Sequence, residues 1–253
     1  MIDFPTLKGL TIPEGVVTQI ADASGRVLWA LSGGKVILQV TKVTATTKAG
    51  ETTYSDEQFV LIDIYPKTNG TVKVTYGGLT KTITDTSGAA EPNAQQVFFG
   101  TFNGVSDSVE TPASGELTIE GDCYAFATGQ YTNDKPTSST SGCIINILDF
   151  GNVKEIPARA FHRVVYAAGG NGLTGELVIS SKIKSIGKGA FLGNEHLTRV
   201  IFESPLGWYA TETEGATSGT ELDLTNPENN VGLLFRDTDN TETSNLACYW
   251  YQS

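Results

Sequence analysis

A repeat in the second half of the chain constrains the fold more than any other feature of the sequence. The stretch 148–161 returns as 177–191, and a third copy begins within 197–202. Leu177 and Val200 of the second and third copies stand 23 residues apart. Matching apolar residues of the first two copies stand 30 residues apart, and we predict that four of them lie in the core: Ile156, Phe161, Ile186 and Phe191. Periods of this length are typical of stacked repeat units.

Each unit is predicted to be a short strand, a tight turn and a short irregular return. The apolar face of one unit cannot be buried alone, so neighbouring units stack and share one core. Only about two and a half units fit between Ile145 and Glu203, whereas such stacks need about three. We therefore expect the flanking segments, including the residues after Leu206, to complete and cap the stack.

The repeat resembles BspA-type leucine-rich repeats. In the second unit, Ser185-Ile186-Gly187 and Gly189-Ala190-Phe191 are followed by Leu197-Thr198-Arg199-Val200, as in that family. The first unit departs from the pattern, because Glu155-Ile156-Pro157 stands where the family has Ser-Ile-Gly. The resemblance implies that residues 144–253 form a short leucine-rich-repeat solenoid with a C-terminal cap.

The rest of the chain is predicted to be β as well, because no segment shows a long apolar stripe of helical period. Residues 1–34 are predicted to form a hairpin-like docking arm, since two short strands are not stable alone. Residues 35–131 are predicted to form a β-sandwich-like (Ig-like) module of short alternating strands between turns. Residues 132–143 are polar and are predicted to be a linker. The strands predicted in the module are Lys35–Val43, Gln58–Ile64, Thr71–Tyr76, Leu79–Thr84, Gln96–Phe102 and Glu116–Glu120.

The formal charge of −11 argues against a nucleic-acid partner. A strongly acidic surface repels phosphate backbones, so we expect no nucleic-acid partner.

The three cysteines of the chain show no metal-binding pattern. Cys123, Cys143 and Cys248 lack metal-ligand spacing, and we predict reduced, partly buried thiols. One disulfide with a third free thiol remains the alternative.

No catalytic motif is present, and we predict that the chain is not an enzyme and needs no cofactor or metal. His162 and His196 follow the repeats at ordinary turn positions. Acidic residues between Glu110 and Asp122 are interpreted as a solvated strand face rather than as a pair of glycosidase carboxylates.

Aromatic residues crowd the C-terminal segment, and they are the candidate binding residues of the sequence: Trp208, Tyr209, Tyr249, Trp250 and Tyr251. Exposed aromatics bind sugar rings or protein partners. The alternative, which we prefer, is that they fold back and cap the open end of the repeat stack.

Two further stretches suggest where the chain acts. The opening from Leu10 to Trp29 is similar to the start of tail-region structural proteins of bacteriophages and prophages of gut Firmicutes. The segment from Gly207 to Tyr251 is similar to sequences that follow BspA-type repeats in those genomes. These likenesses imply a virion protein of the tail or fibre type that serves in assembly and host-surface binding.

The expected partners are other virion proteins, contacted through the arm, a glycan or protein of the host surface, and further copies of the chain in a homo-oligomer. The N-terminus lacks the pattern of a signal peptide, so we expect synthesis in the host cytoplasm and assembly into the virion. Two alternatives stay open. One is a bacterial cell-surface adhesin with leucine-rich repeats, and the other is a carbohydrate-binding or glycan-hydrolysing module.

Overall fold

The structure is a computed structural model that describes residues 19–21, 27–30, 34–44, 57–86, 93–102, 104–128, 131–132, 135–136, 143–162, 172–235 and 249–253. This part of the chain is mainly β, as predicted. Over these residues the strands form several sheets, mostly antiparallel, of which none closes into a barrel, and there is one helix. In the described part of the chain, no helix is long and apolar enough to cross a lipid bilayer.

The strands of the first half are, in chain order, β1 (Gln19–Ala21), β2 (Val27–Ala30), β3 (Val36–Thr41), β4 (Val43–Thr44), β5 (Gln58–Pro66), β6 (Thr71–Tyr76), β7 (Leu79–Thr84), β8 (Gln95–Phe102), β9 (Val105–Ser106), β10 (Ser114–Gly121) and β11 (Cys123–Thr128). The second half contains β12 (Tyr131–Thr132), β13 (Lys135–Pro136), β14 (Ile144–Phe150), β15 (Glu155–Ile156), β16 (Thr174–Ile179), β17 (Ser185–Ile186), β18 (His196–Phe202), β19 (Trp208–Thr211), β20 (Thr220–Glu221), α1 (Pro227–Phe235) and β21 (Tyr249–Gln252).

Two antiparallel sheets form the first half of the structure. One has the order β14-β3-β10-β6-β7 and the other β11-β5-β8-β9, with β4 paired to β5. Alternation positions the strands: in β6, Val72, Val74 and Tyr76 are buried while Lys73 is exposed. The inward faces meet, since the rings of Tyr76 and Phe99 from the two sheets lie 5.6 Å apart.

Turn chemistry explains why two predicted strands have the bounds of the observed ones. The predictions Thr71–Tyr76 and Leu79–Thr84 are confirmed as β6 and β7. They are joined by Gly77 and Gly78, which both have positive φ angles of 57° and 81°. Positive φ at both central residues is what a tight hairpin turn requires, and glycine adopts it at little cost.

The sheets contain strands that the sequence did not assign to them. β9 and β11 lie inside the predicted module, in residues to which no strand was assigned, and β14 was assigned to the repeat module alone. β14 instead pairs antiparallel with β3, with Phe150 opposite Val36. The pairing buries Ile144, Ile147 and Phe150, so the predicted boundary at residues 143 and 144 does not separate two sheets.

The predicted arm and linker are described only in part. β1 and β2 form an antiparallel ladder within the arm, and the remaining arm residues apart from Gly34 lie outside the described part. β12, which spans the predicted boundary between module and linker, pairs with β13 of the predicted linker. Cys248 and the whole stretch 163–171 between the first two repeats also lie outside the described residues.

Parallel pairing brings the repeated residues side by side. β15 pairs parallel with β17, and Ile156 lies opposite Ile186. β16 pairs parallel with β18, and Leu177 lies opposite Val200. These are the residues that the 30-residue and 23-residue spacings align in the sequence.

A column of phenylalanine rings joins the repeats to the two sheets. Phe161 lies 5.3 Å from Phe191 and 5.5 Å from Phe126 of β11, centroid to centroid. Backbone hydrogen bonds follow the same line, from the Thr128 N–H to the Ala160 carbonyl at 2.8 Å and from the Phe161 N–H to the Ala190 carbonyl at 2.7 Å. The repeats therefore continue the core of the sheets.

The helix α1 was not predicted, because nine residues are too few for a periodic stripe. Its start has a clear local cause. The Asn226 side-chain oxygen accepts hydrogen bonds from the N–H groups of Glu228 and Asn229, both at 3.1 Å, and Pro227 is the first helical residue. Both features are typical of helix N-termini.

The two described cysteines, Cys123 and Cys143, are buried thiols. Burial raises the pKa of Cys123 and of Cys143 to about 12, so both are protonated thiols at neutral pH. In a Cys248→Ser variant, we expect iodoacetamide at pH 8 to add no label to the folded protein and two labels in urea, counted by intact mass. Labelling of either residue in the folded protein would contradict the buried positions.

Candidate functional site

The five aromatic residues singled out in the sequence fall into two groups. Trp208 is 1% exposed and Trp250 is 2% exposed. Both rings pack on Phe202, with centroids at 5.3 Å and 6.5 Å. Their burial contradicts the candidate binding role of these two rings, because a ligand at the surface cannot reach rings enclosed in the core, and it agrees with the preferred interpretation that they fold back against the repeats.

The strand β21 explains the burial of Trp250. It pairs antiparallel with β17, with Trp250 opposite Ile186, and with β19 on its other side. The Gln252 N–H donates to the Lys184 carbonyl at 2.9 Å. The edge of β17, where a further repeat would add its strand, is therefore occupied by the C-terminal segment.

The three tyrosines lie on the opposite, outer face of this sheet and are half-buried: Tyr209, Tyr249 and Tyr251. Tyr209 donates from its hydroxyl to the Ala216 carbonyl at 2.9 Å. Tyr251 accepts from the Gly215 N–H at 2.6 Å. Burial, and then the negative charge of Glu214, raise the pKa of Tyr249. The loop between β19 and β20 thus holds the tyrosines in place.

The sheet register aligns these tyrosines with polar residues. Sheet pairing places one residue from each of five strands in an outer row, which we call the tyrosine row: Glu155, Ser185, Tyr251, Tyr209 and Glu221. Neighbouring strands are about 4.8 Å apart, so the row is about 19 Å long. Beyond its first member, the Tyr124 hydroxyl of β11 donates to the Glu155 carboxylate.

A second outward surface lies on the strands β14, β16 and β18. Leu148 and Val178 are exposed apolar residues there, and Val178 lies opposite Ile201. Beside them, Arg199 contacts Glu176 at 2.7 Å and Glu228 of α1 at 3.0 Å. This surface combines a short apolar row with a network of ion pairs.

Sequence reasoning missed a buried asparagine between the repeats. Asn194 is 1% exposed. Its side-chain oxygen accepts from the Leu173 N–H at 2.8 Å, and its amide donates to the carbonyls of Phe161 and Phe191 at 2.8 Å and 2.7 Å. One side chain therefore connects three backbone segments, at Phe161, Leu173 and Phe191. The available signal was an asparagine three positions before the apolar Leu197.

A second missed asparagine closes the edge of β18. Asn230 of α1 is fully buried and donates to the carbonyls of Val200 and Leu224, both at 2.9 Å. The helix thus covers the strand edge that faces away from β16.

The histidines and carboxylates considered in the sequence do not converge. Burial, reinforced by the charge of Arg159, lowers the pKa of His162 to about 4, so this imidazole is neutral at physiological pH. His196 is exposed on β18. Glu120 pairs with Lys35 at 2.6 Å, and Glu116 is exposed. Across the described ranges, no three His, Cys, Asp or Glu side chains are placed to hold a metal ion.

In comparisons with known proteins, no family model matches the chain, and neither a curated protein nor a solved structure is detectably similar to it.

Proposed function

We propose that the chain is a non-catalytic structural protein of a phage or prophage virion, of the tail or fibre type, used in assembly and host-surface binding. In this proposal the two antiparallel sheets are an Ig-like β-sandwich spacer. The repeats form a short leucine-rich-repeat solenoid, and the arm attaches the chain to other virion proteins.

The observation that carries the proposal is the continuous core between sheets and repeats. The rings of Phe126, Phe161 and Phe191 form one buried column, and backbone hydrogen bonds accompany it. Bending at this junction would expose the rings to water, which costs about 25 cal/mol for each Å² of apolar surface. A stiff junction suits a part that holds a binding face at a set distance from a particle.

The two closed edges support the cap in the proposal. β21 covers the edge of β17, and α1 covers the edge of β18. Terminal repeats that lack a cap leave an open core and unpaired strand groups, and both favour aggregation. A protein that forms many copies in one particle gains from closed ends.

Location in particles tests the proposal directly. Purified particles from an induced lysogen should contain the chain by mass spectrometry and labelled imaging. A variant that lacks residues 1–34 should keep the far-ultraviolet circular dichroism of its folded part and be lost from particles. A Thr82→Arg variant, altered on an exposed position of β7, should be incorporated normally.

Each other outcome has a clear meaning. Absence of the full chain from particles would overturn the proposal. Recovery on the bacterial cell surface instead would favour the adhesin with leucine-rich repeats. Incorporation of the armless variant would remove the docking role of residues 1–34.

A further inference from the structure

The tyrosine row has the composition of a sugar-binding strip. Two rings stand at its centre, on adjacent strands, with centroids 5.9 Å apart and planes inclined by 34°. A hydroxyl and a carboxylate lie on one side, in Ser185 and Glu155, and a second carboxylate lies on the other, in Glu221. Tyrosine offers an apolar ring face for the C–H groups of a pyranose, and the flanking oxygens can bond its hydroxyls.

We propose that this row binds a chain of neutral sugars. The inference adds a ligand class to the proposed role at a host surface and depends on that role only for its biological setting.

The rings are held in position before any ligand arrives. The hydroxyl ends of Tyr209 and Tyr251 are hydrogen-bonded to the loop of Gly215 and Ala216. The carboxylate of Glu155 is oriented by the Tyr124 hydroxyl. Side chains fixed in this way lose little conformational entropy on binding, which favours affinity for a flexible, weakly bound ligand.

The charge of the strip selects among sugars. Glu155 and Glu221 are exposed members of the row, and Glu214 lies beside Tyr249. Such carboxylates repel the uronate, sulfate or phosphate groups of acidic polysaccharides. They accept hydrogen bonds from the hydroxyls of neutral sugars, and these bonds are stronger than those of neutral acceptors.

The absence of exposed aliphatic residues in the row argues against a protein ligand at this place. The large apolar side chains that are exposed among the described residues all lie outside it: Val105, Val109, Leu148, Val178 and Leu206. The centre of a protein interface is usually depleted of charge and rich in apolar area. A polar strip with two tyrosines at its centre fits a saccharide better.

Binding to immobilised neutral oligosaccharides of glucose, galactose, mannose and N-acetylhexosamines provides the test, with the whole purified chain as the analyte. We expect the chain to bind at least one of them. The dissociation constant of that oligosaccharide, free in solution, is then measured by calorimetry. Ser185→Arg places a bulky side chain in the middle of the row without entering the core. It should weaken binding at least ten-fold, and Tyr251→Leu should do the same.

Thr82→Arg is the matched control, because it adds the same side chain on the exposed face of β7 and should leave binding unchanged. Ser185→Arg and Thr82→Arg should both unfold at the same thermal midpoint as the parent protein. Lack of binding to every neutral oligosaccharide would overturn the inference, as would equal binding by Ser185→Arg or a preference for uronic-acid oligosaccharides. Because the assay uses the free chain, its failure leaves the particle-location test unaffected.

Discussion

Replacement of Trp250 by alanine is expected to lower the free energy of unfolding by about 3–5 kcal/mol, the usual cost of emptying a fully buried tryptophan site. The indole is 2% exposed and packs on Phe202 of β18 in the core. Its loss leaves a cavity under β21, the strand that covers the edge of β17. Urea unfolding followed by circular dichroism measures the effect without relying on tryptophan emission.

Tyr249→Phe is the control for this prediction. It lies one position before Trp250 on the same strand, on the outer face, and loses only a hydroxyl. We expect a change of at most about 1 kcal/mol, the net value of one ordinary hydrogen bond. If Trp250→Ala cost no more than Tyr249→Phe, the C-terminal strand would not be part of the stable core.

Removal of the Asn194 side chain should be almost as damaging. Asn194→Ala leaves the buried Leu173 N–H and Phe161 carbonyl without this side-chain partner, whereas the Phe191 carbonyl loses the amide but still accepts from the backbone N–H of residue 194 at 3.4 Å. Each unsatisfied buried group costs about 1–3 kcal/mol, and we expect a total on the order of 3–5 kcal/mol. Asn194→Asp keeps the acceptor but places negative charge beside two carbonyl oxygens, so it should be no milder.

Two measurements separate this prediction from general destabilisation. Asn229→Ala, at an exposed position of α1, should change the free energy of unfolding by no more than about 0.5 kcal/mol. Under native conditions, the amide of Leu173 should exchange with solvent faster in Asn194→Ala, since its acceptor is gone. An unchanged exchange rate of the Leu173 amide would show that Asn194 does not hold the backbone at Leu173 in place.

The local patterns of the sequence predicted the parts of the fold that depend on spacing. Alternation and paired glycines predicted β6 and β7 with their observed bounds. The 30-residue spacing aligned Ile156 with Ile186, the pair found opposite each other in the parallel ladder. Such features arise from residues close in the chain or from repetition of the same residues, and one sequence contains both kinds of information.

Other parts depended on partners far away in the chain. The sequence of β14 is compatible with a repeat strand, and only its pairing with β3 shows that it also completes a sheet of the first half. Asn194 is one polar residue among many until the three backbone groups around it are located. Neither feature has a period or a motif that could identify its partner.

The aromatic segment at the C-terminus shows where the division lies. By itself the sequence determined only that, if this segment is a strand, Tyr249 and Tyr251 share one face and Trp250 lies on the other, because successive side chains of a strand point in opposite directions. It did not determine which face is buried. The antiparallel pairing of β21 with β17 decided that, since it places Trp250 beside Ile186 in the core and leaves Tyr251 on the outer row. The burial of apolar surface, a property of the assembled sheet, thus separates the enclosed tryptophans from the half-buried tyrosines.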